Sequence, residues 1–337
     1  MAARSFISIS KRMKPPRKFF AAFMAGFLIV LGFYAAVFYL NLGVPTDSSR
    51  WCYEIYQKKQ LAAEKITSPK LLLVGGSGTL FGLSAREIQH ETGFPTINFG
   101  THAGLETDCI LRHARQVARP GDTVLLCLEY ELYAYGKSDV SDTLLDFIVS
   151  RDTAYFYSLS LPEKCNIFLE TSNQRLLQGL ENRRHPEGNM GGYQSKFVNE
   201  WGDQTNHPKA LQQTDKAIRQ ESVLGGGLPE RPAGFDLIAS FCDWARTNHI
   251  RVLAAFPNIC RRPEYYQPAA QRTAKSIVNF FAGLDVPMLG DYTESVLPPD
   301  QFFDSLYHLT DEASITRTQR LLKHLAPYLE NKSQQNK

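Results

Sequence analysis

Short apolar runs alternate with longer amphipathic segments along most of the chain. The apolar runs predict five β-strands at Lys70–Val74, Thr96–Phe99, Thr123–Leu128, Arg251–Ala255 and Pro287–Leu289. Helical spacing of apolar positions predicts helices at Ser84–Thr92, Leu105–Val117, Ala233–Asn248, Pro268–Leu284 and Asp311–Glu330. Strands that are apolar throughout and separated by helices are typical of a parallel sheet covered on both faces. The pattern therefore predicts an α/β three-layer sandwich with a central five-stranded parallel sheet.

A long apolar segment near the N-terminus does not fit this alternation. Phe19–Leu40 has 22 residues and no charge. As a helix rising about 1.5 Å per residue, it is long enough for the roughly 30 Å hydrocarbon core of a bilayer. We interpret 19–42 as a transmembrane signal anchor, followed by a polar stalk helix at 43–67. A cleaved signal peptide is the alternative, although no small-x-small cleavage site follows the segment.

The distribution of charge predicts an orientation for this anchor. Six basic residues and no acidic ones precede it: Arg4, Lys11, Arg12, Lys14, Arg17 and Lys18. The positive-inside rule places this basic tail, 1–18, in the cytoplasm. The remaining chain then lies outside, which predicts a single-pass inner-membrane protein with a periplasmic domain. Beyond residue 18 acidic residues slightly outnumber basic ones, so nothing indicates nucleic-acid binding.

The rest of the chain is predicted to form one α/β domain at 68–330, followed by a disordered tail at 331–337. An insertion at about 136–232 interrupts the alternation: it is helical at first and then polar, glycine-rich and loop-like. The six cysteines include no C-x-x-C pair, so there is no zinc or thioredoxin-type motif. We predict no metal and no cofactor.

Candidate chemistry lies in "KLLLVGGSGTLFGLSA", residues 70–85, where Ser77 follows the first strand. Ligands of open parallel sheets collect at the carboxyl ends of the strands. A dinucleotide fingerprint does not fit because Gly82 comes one residue too late, and a P-loop lacks its lysine. The remaining hypothesis is a nucleophilic serine, which needs a base and a group that orients the base. "FFDSLYHLTDEA" supplies Asp304 and His308 just before the last predicted helix.

The blocks "GGSGT" and "DSLYH" resemble those of the SGNH hydrolase (GDSL-like) superfamily, and "INFGTHAGLET" is similar to its second block. The resemblance covers roughly 70–135 and 235–330. It implies a flavodoxin-like sandwich with Ser77 as nucleophile, His308 as base and Asp304 as the residue that orients the base. It also implies an oxyanion hole formed by the backbone N–H groups of Ser77 or Gly78 and of Gly104, with Gly100 as the alternative to Gly104.

Two departures from the family's pattern affect the predicted site. Three residues separate Asp304 from His308, where the family usually has two. The third block, Gly-x-Asn-Asp, is replaced by "CLEYELY" at 127–133, so its oxyanion asparagine is missing. Possible substrate-binding residues are His102, Glu129, Tyr130 and Asn258. Structural roles for these residues remain open alternatives.

The resemblance implies an extracytoplasmic serine esterase or O-acyltransferase, with acetyl as the expected acyl group. The expected acceptor is an exported polysaccharide or envelope glycan, and a membrane-embedded protein is the expected acyl donor. A non-catalytic binding or assembly component of an envelope polysaccharide system is the alternative, favoured by the missing third block. A free lipase is a further option.

Overall fold

The computed structural model describes residues 17–136, 140–184 and 193–329. Most of the predicted basic tail and the predicted C-terminal tail lie outside the described residues. So do two short parts of the predicted insertion.

The described residues form a five-stranded, wholly parallel sheet, which confirms the predicted fold class. The strands are β1 Leu71–Val74, β2 Thr96–Asn98, β3 Thr123–Leu126, β4 Arg251–Ala255, β5 Ile259–Cys260, β6 Met288–Leu289 and β7 Val296–Leu297. The sheet has the order β2-β1-β3-β4-β6, and β5 and β7 form a separate parallel pair. This order is that of flavodoxin-like doubly wound folds, in which β1 and β3 flank the switch point.

Helices make up most of the remaining described chain. They are α1 Arg17–Asn41, α2 Asp47–Lys65, α3 Ser77–Gly82, α4 Ala85–Thr92, α5 Glu106–Val117, α6 Tyr130–Ala134, α7 Asp142–Ser150, α8 Thr153–Ser158, α9 Leu161–Glu170, α10 Asn173–Asn182, α11 Thr214–Arg219, α12 Val223–Gly226, α13 Ala233–Thr247, α14 Pro268–Gly283 and α15 Asp311–Leu329. The five helices predicted between and after the strands correspond to α4, α5, α13, α14 and α15.

Alternation along the strands divides the core into two layers. Leu72, Val124 and Val252 face one side, where they pack with residues of α5, α13 and α14. Their neighbours Leu71 and Leu125 face the other side, where they pack with α4 and α15. Because both faces are covered by helices, the strands are apolar throughout.

The helix in the predicted stalk packs against the α/β body. On α2, Cys52, Tyr56 and Ala63 are buried, and Lys59 is buried between them. These positions recur every three to four residues and form one helical stripe. The polar character of Lys59 conceals this stripe in the sequence.

Helices of the predicted insertion hold the chain where it leaves α1. A buried ion pair joins Arg175 Nε to Asp146 at 3.1 Å. Arg175 also donates to the carbonyl of Val44 at 3.1 Å, and Thr46 donates to Asp146. The insertion therefore fixes the segment between α1 and α2.

Candidate active site

Ser77 is the first residue of α3, a short helix that the sequence analysis did not predict. The chain turns sharply there, and Gly76 lies directly against the backbone of Ala103. A Cβ atom on Gly76 would lie 2.7 Å from the backbone nitrogen of Ala103. The glycine is therefore needed for close approach of two loops at the carboxyl edge of the sheet.

The carboxylate of Glu129 fixes the backbone on both sides of Ser77. One oxygen accepts the N–H of Gly76 at 3.0 Å, and the other accepts the N–H of Gly78 at 2.6 Å. Glu129 is fully buried just after β3. Burial raises its pKa to about 7, and the two backbone N–H groups act in the opposite direction. We refer to this arrangement of Gly76, Gly78 and Glu129 as the glycine clamp.

Asn98, at the end of β2, ties the second predicted block to the helix that carries Ser77. Its side-chain amide donates to the carbonyls of Thr79 at 3.1 Å and Leu83 at 2.9 Å. Its side-chain oxygen accepts the N–H of Gly100 at 3.0 Å. Asn98 thus has a structural role. It also accepts the N–H of Gly100, the alternative oxyanion residue.

Asp304 and His308 contact each other in spite of their longer spacing. His308 Nδ1 lies 2.7 Å from Asp304 Oδ1. The loop between them is closed because the Phe303 N–H donates to the His308 carbonyl at 2.8 Å. The hydroxyl of Tyr193, from the insertion, donates to the other carboxylate oxygen of Asp304 at 2.5 Å.

These contacts stabilise the ionised form of Asp304. Burial opposes ionisation, but hydrogen bonding and the charge of His308, with the hydroxyl of Tyr193, hold the pKa of Asp304 below its usual range. For Tyr193, burial and the Asp304 contact raise the pKa. An ionised carboxylate on Nδ1 leaves Nε2 of His308 as the nitrogen available for base chemistry.

An aromatic contact joins the serine and histidine halves of the site. Phe81, one turn after Ser77 on α3, stacks on His308 with ring centroids 4.2 Å apart and an interplanar angle of 12°. Among the described residues, no hydrogen bond joins Ser77 to His308. Catalytic hydrogen bonds are often long in free enzymes and form only when substrate binds.

The predicted oxyanion N–H groups have protein partners in this structure. The N–H of Gly78 belongs to the glycine clamp. The N–H of Gly104 donates to Nδ1 of His102 at 2.9 Å. Between the two clamped glycines, the N–H of Ser77 has no hydrogen-bond acceptor within the described part of the chain. That N–H is the available backbone donor at the candidate nucleophile.

His102 is held as a neutral imidazole beside His308. Burial, and secondly the charge of His308, lowers the pKa of His102 to about 4. Because Nδ1 accepts the Gly104 N–H, the proton of the neutral ring is on Nε2. The ring of Trp51, from α2, lies edge-on to His102 with centroids 5.9 Å apart.

Three predicted substrate-binding residues are instead fully buried. Glu129 serves the glycine clamp, and Tyr130 has no exposed surface. Asn258 donates to the carbonyl of Tyr307 and accepts from Arg317 Nε at 3.2 Å. These side chains present no surface to a ligand in this structure, because the apolar interior and the turns around β3 and β4 enclose them. His102 alone of the four is partly exposed.

Two further residues at the site, Tyr193 and Trp51, are not predicted from the sequence. Tyr193 lies in the insertion and Trp51 in the predicted stalk, and neither belongs to a local motif. Their rings contact each other, with centroids 5.1 Å apart. No cluster of metal-ligating side chains occurs among the residues that the structure describes.

Comparisons with known proteins find similarity to this chain only in its fold. No protein-family profile and no curated protein matches the chain. Among matching solved structures is protein YxiM of Bacillus subtilis, with 9% identity, a TM-score of 0.39, and coverage of 78% of this chain and 57% of that one. Another, described provisionally as a platelet activating factor from Streptococcus pneumonia, has 14% identity, a TM-score of 0.38, and coverage of 83% and 94%. The chain spans little more than half of YxiM, and the likenesses concern the α/β fold alone.

Proposed function

We propose that this chain is a membrane-anchored, extracytoplasmic serine esterase or O-acyltransferase that uses Ser77, His308 and Asp304. One observation carries the proposal: the 2.7 Å contact of Asp304 with His308, whose ring stacks on the helix that begins with Ser77. A serine, a histidine and an ionised carboxylate at the carboxyl edge of one sheet are the groups that acyl transfer requires.

The proposed reaction has two balanced halves. His308 Nε2 takes the Ser77 proton while Oγ attacks the acyl carbon. The protonated histidine then gives that proton to the departing alcohol, which leaves an acyl-serine. In the second half His308 takes a proton from water or from an acceptor hydroxyl, whose oxygen attacks the acyl carbon, and then gives that proton to Ser77 Oγ as the acyl–serine bond breaks. Asp304 stabilises the imidazolium formed in each half.

The oxyanion that forms in each half needs hydrogen-bond donors. We assign the N–H of Ser77 as the backbone donor, since the N–H groups on either side of it are engaged by Glu129. The neutral His102, with its proton on Nε2, is a candidate replacement for the missing asparagine. Loss of one oxyanion donor typically costs about 10²–10³ in rate.

The proposed location follows from α1, the one helix in the described chain that is long and apolar enough to cross a membrane. Its basic N-terminal flank favours a cytoplasmic N-terminus, and the site then lies outside. We propose a hydroxyl of an exported glycan as acceptor, expect acetyl as the acyl group, and propose a membrane-embedded protein as acyl donor.

Hydrolysis of a chromogenic acetyl ester tests this function. The full chain in detergent is compared with Ser77→Ala and His308→Ala, and with the control variants Ser276→Ala and His90→Ala on other helices. Release that is lost in the first two variants and kept in the controls would support the proposal. Equal release by all five proteins would remove Ser77 from any catalytic role.

A non-catalytic glycan-binding role is the second candidate. It is favoured by the occupied N–H groups of Gly78 and Gly104 and by the lack of a Ser77–His308 hydrogen bond among the described residues. Silence of the wild type towards the ester, together with no reaction of Ser77 with a covalent serine probe, would favour this role.

A further inference from the structure

Three helices of the insertion expose large apolar side chains on the outside of the body. Outside α1, the most exposed large apolar residues of the described chain are Leu161 at 74%, Leu169 at 73%, Leu177 at 67% and Tyr157 at 61%. All four lie on α8, α9 and α10. Clusters of exposed apolar residues mark surfaces that contact another phase or another molecule. We refer to these four residues as the apolar platform.

The platform is organised by helical geometry. On α9, Leu161, Cys165 and Leu169 are exposed and recur every four residues, so they form one stripe along the helix. Ile167 faces inward and is buried. Helix α9 therefore has two apolar faces, and only the inner one is used by the folded body.

The same helices contact the outer end of α1. The hydroxyl of Tyr34 donates to the carbonyl of Thr171 at 2.6 Å, and its ring packs edge-on against Phe168 at 4.9 Å. One turn later, Phe38 contacts Phe168 and Phe156 at 5.2 and 5.8 Å between centroids. Helices α8 and α9 are thus attached to the last turns of the apolar helix.

The length of α1 determines the depth in the bilayer at which this contact lies. The helix has 25 residues and begins with Arg17 and Lys18, whose charges belong among headgroups. About 20 residues, at roughly 1.5 Å each, cross the hydrocarbon core, so the span ends near Phe38. Tyr34 then lies about one turn below the outer end of the span, within the roughly 5–10 Å that the apolar faces of interfacial helices penetrate. Its partners Phe168 and Thr171 lie at the same depth.

We propose that α8, α9 and α10 form a second membrane contact, in which the apolar platform inserts into the outer boundary between lipid headgroups and acyl chains. The occupant of the platform is the lipid bilayer itself, continuous with the lipid around α1. Arg183, whose side chain donates to the carbonyl of Leu40 at the end of α1, is placed to contact lipid phosphates. The inference rests on the proposed anchor role of α1. It adds that the α/β body itself contacts the membrane surface, so that α1 is not its only connection to the membrane.

Cys165 makes the proposal directly testable, because the other five cysteines are buried. The full chain is placed in nanodiscs of phosphatidylcholine and phosphatidylglycerol, and Cys165 is labelled with an environment-sensitive fluorophore. Lipids that carry a nitroxide near the headgroup should quench this label about threefold more than a label at Asn279, in the variant Cys165→Ser/Asn279→Cys. Asn279 is exposed on α14, the helix that packs beside β6 at the far edge of the sheet.

A second variant separates membrane insertion from mere nearness to α1. Leu161→Glu/Leu169→Glu should roughly halve the quenching at Cys165 and leave the melting temperature unchanged, because both side chains are exposed. Quenching equal to that of the control position, or unaffected by the two glutamates, would overturn the platform while leaving the anchor intact. A chain that does not enter nanodiscs would overturn the anchor and the platform together.

Discussion

The two halves of the candidate site are held in different ways. The serine half is held through its backbone: the Glu129 carboxylate, which lies just after β3, accepts the N–H groups of Gly76 and Gly78 on either side of Ser77. The histidine half is built from side chains, because Asp304 and Tyr193 orient His308 and Phe81 stacks on it. Changes in the serine half should therefore cost stability and activity together. Changes in the histidine half should cost mainly activity.

The largest effect is expected from Asp304→Asn. The amide can still contact Nδ1 but favours the wrong tautomer and cannot stabilise the imidazolium, so kcat should fall about 10³–10⁴-fold. Ester hydrolysis measures the loss, and the melting temperature should hardly change. Asp300→Asn, an exposed control, should keep full activity. A fall of less than tenfold would mean that Asp304 does not orient a catalytic base.

Glu129→Gln tests the glycine clamp. The amide replaces one acceptor by a donor, so one buried N–H loses its partner, at a cost of about 1–3 kcal/mol in unfolding free energy. Activity should fall about 10–100-fold because Ser77 is no longer fixed.

Asp122→Asn is the matched control for Glu129. This buried acid accepts the N–H of Lys70 at 3.0 Å and pairs with its ammonium group at 2.6 Å, at the amino edge of the sheet. It should lose about 3–5 kcal/mol of unfolding free energy in urea, at least as much as Glu129→Gln, because the buried Lys70 ammonium loses its counter-charge, and it should keep kcat. If both variants lost activity equally, the clamp would have no specific role at the site.

Tyr193→Phe removes one hydrogen bond from Asp304. The loss of about 1 kcal/mol predicts a kcat about three- to tenfold lower with little change in KM. The pKa of Asp304 should move up towards its ordinary value. A carboxyl group whose pKa is lowered on folding stabilises the fold at pH values above its unfolded pKa. This stability is lost as the pH falls through the folded pKa. Because the folded pKa of Asp304 is higher in the variant, the variant should lose this stability at a less acid pH. The exposed Tyr157→Phe should change neither the kinetics nor the acid unfolding profile.

The smallest effect on stability is expected from His102→Asn, which can still accept the Gly104 N–H. In the unfolded chain His102 takes up a proton near pH 6.5. In the folded chain burial lowers the pKa of His102 to about 4, so that protonation needs a more acid pH. His102 therefore contributes stability above pH 6.5 that is lost as the pH falls towards 4. The variant should lose less stability between pH 7 and pH 5 in urea titrations. An unchanged pH dependence would contradict the burial of a neutral His102.

The same contrast explains how much was predictable from sequence. The five sheet strands were predicted because parallel strands buried on both faces are continuous apolar runs, as in Leu71–Val74. Ser77, Asp304 and His308 are predictable as site residues because each follows a predicted strand, at the carboxyl edge. The extra residue before His308 was no obstacle, because the loop is closed by its own backbone hydrogen bond.

Contacts between distant segments were not predictable in this way. Tyr193 reaches Asp304 across more than a hundred residues, and nothing in its local sequence marks it. Glu129 and Tyr130 follow a strand and are possible substrate-binding residues by sequence, but the chain there turns inward and buries both. Lys59 conceals the buried stripe of α2, because a lysine is not expected inside the body, where its Nζ donates to the Gly100 carbonyl.

Covalent labelling of Ser77 tests the central claim most directly. The full chain is incubated with a fluorophosphonate, and the modified peptide is identified by mass spectrometry in the wild type, Ser77→Ala and His308→Ala. We predict that Ser77 is modified in the wild type, and that modification is lost in the first variant and strongly slowed in the second. Modification at another serine, or labelling of Ser77 that does not depend on His308, would contradict a nucleophile activated by this histidine.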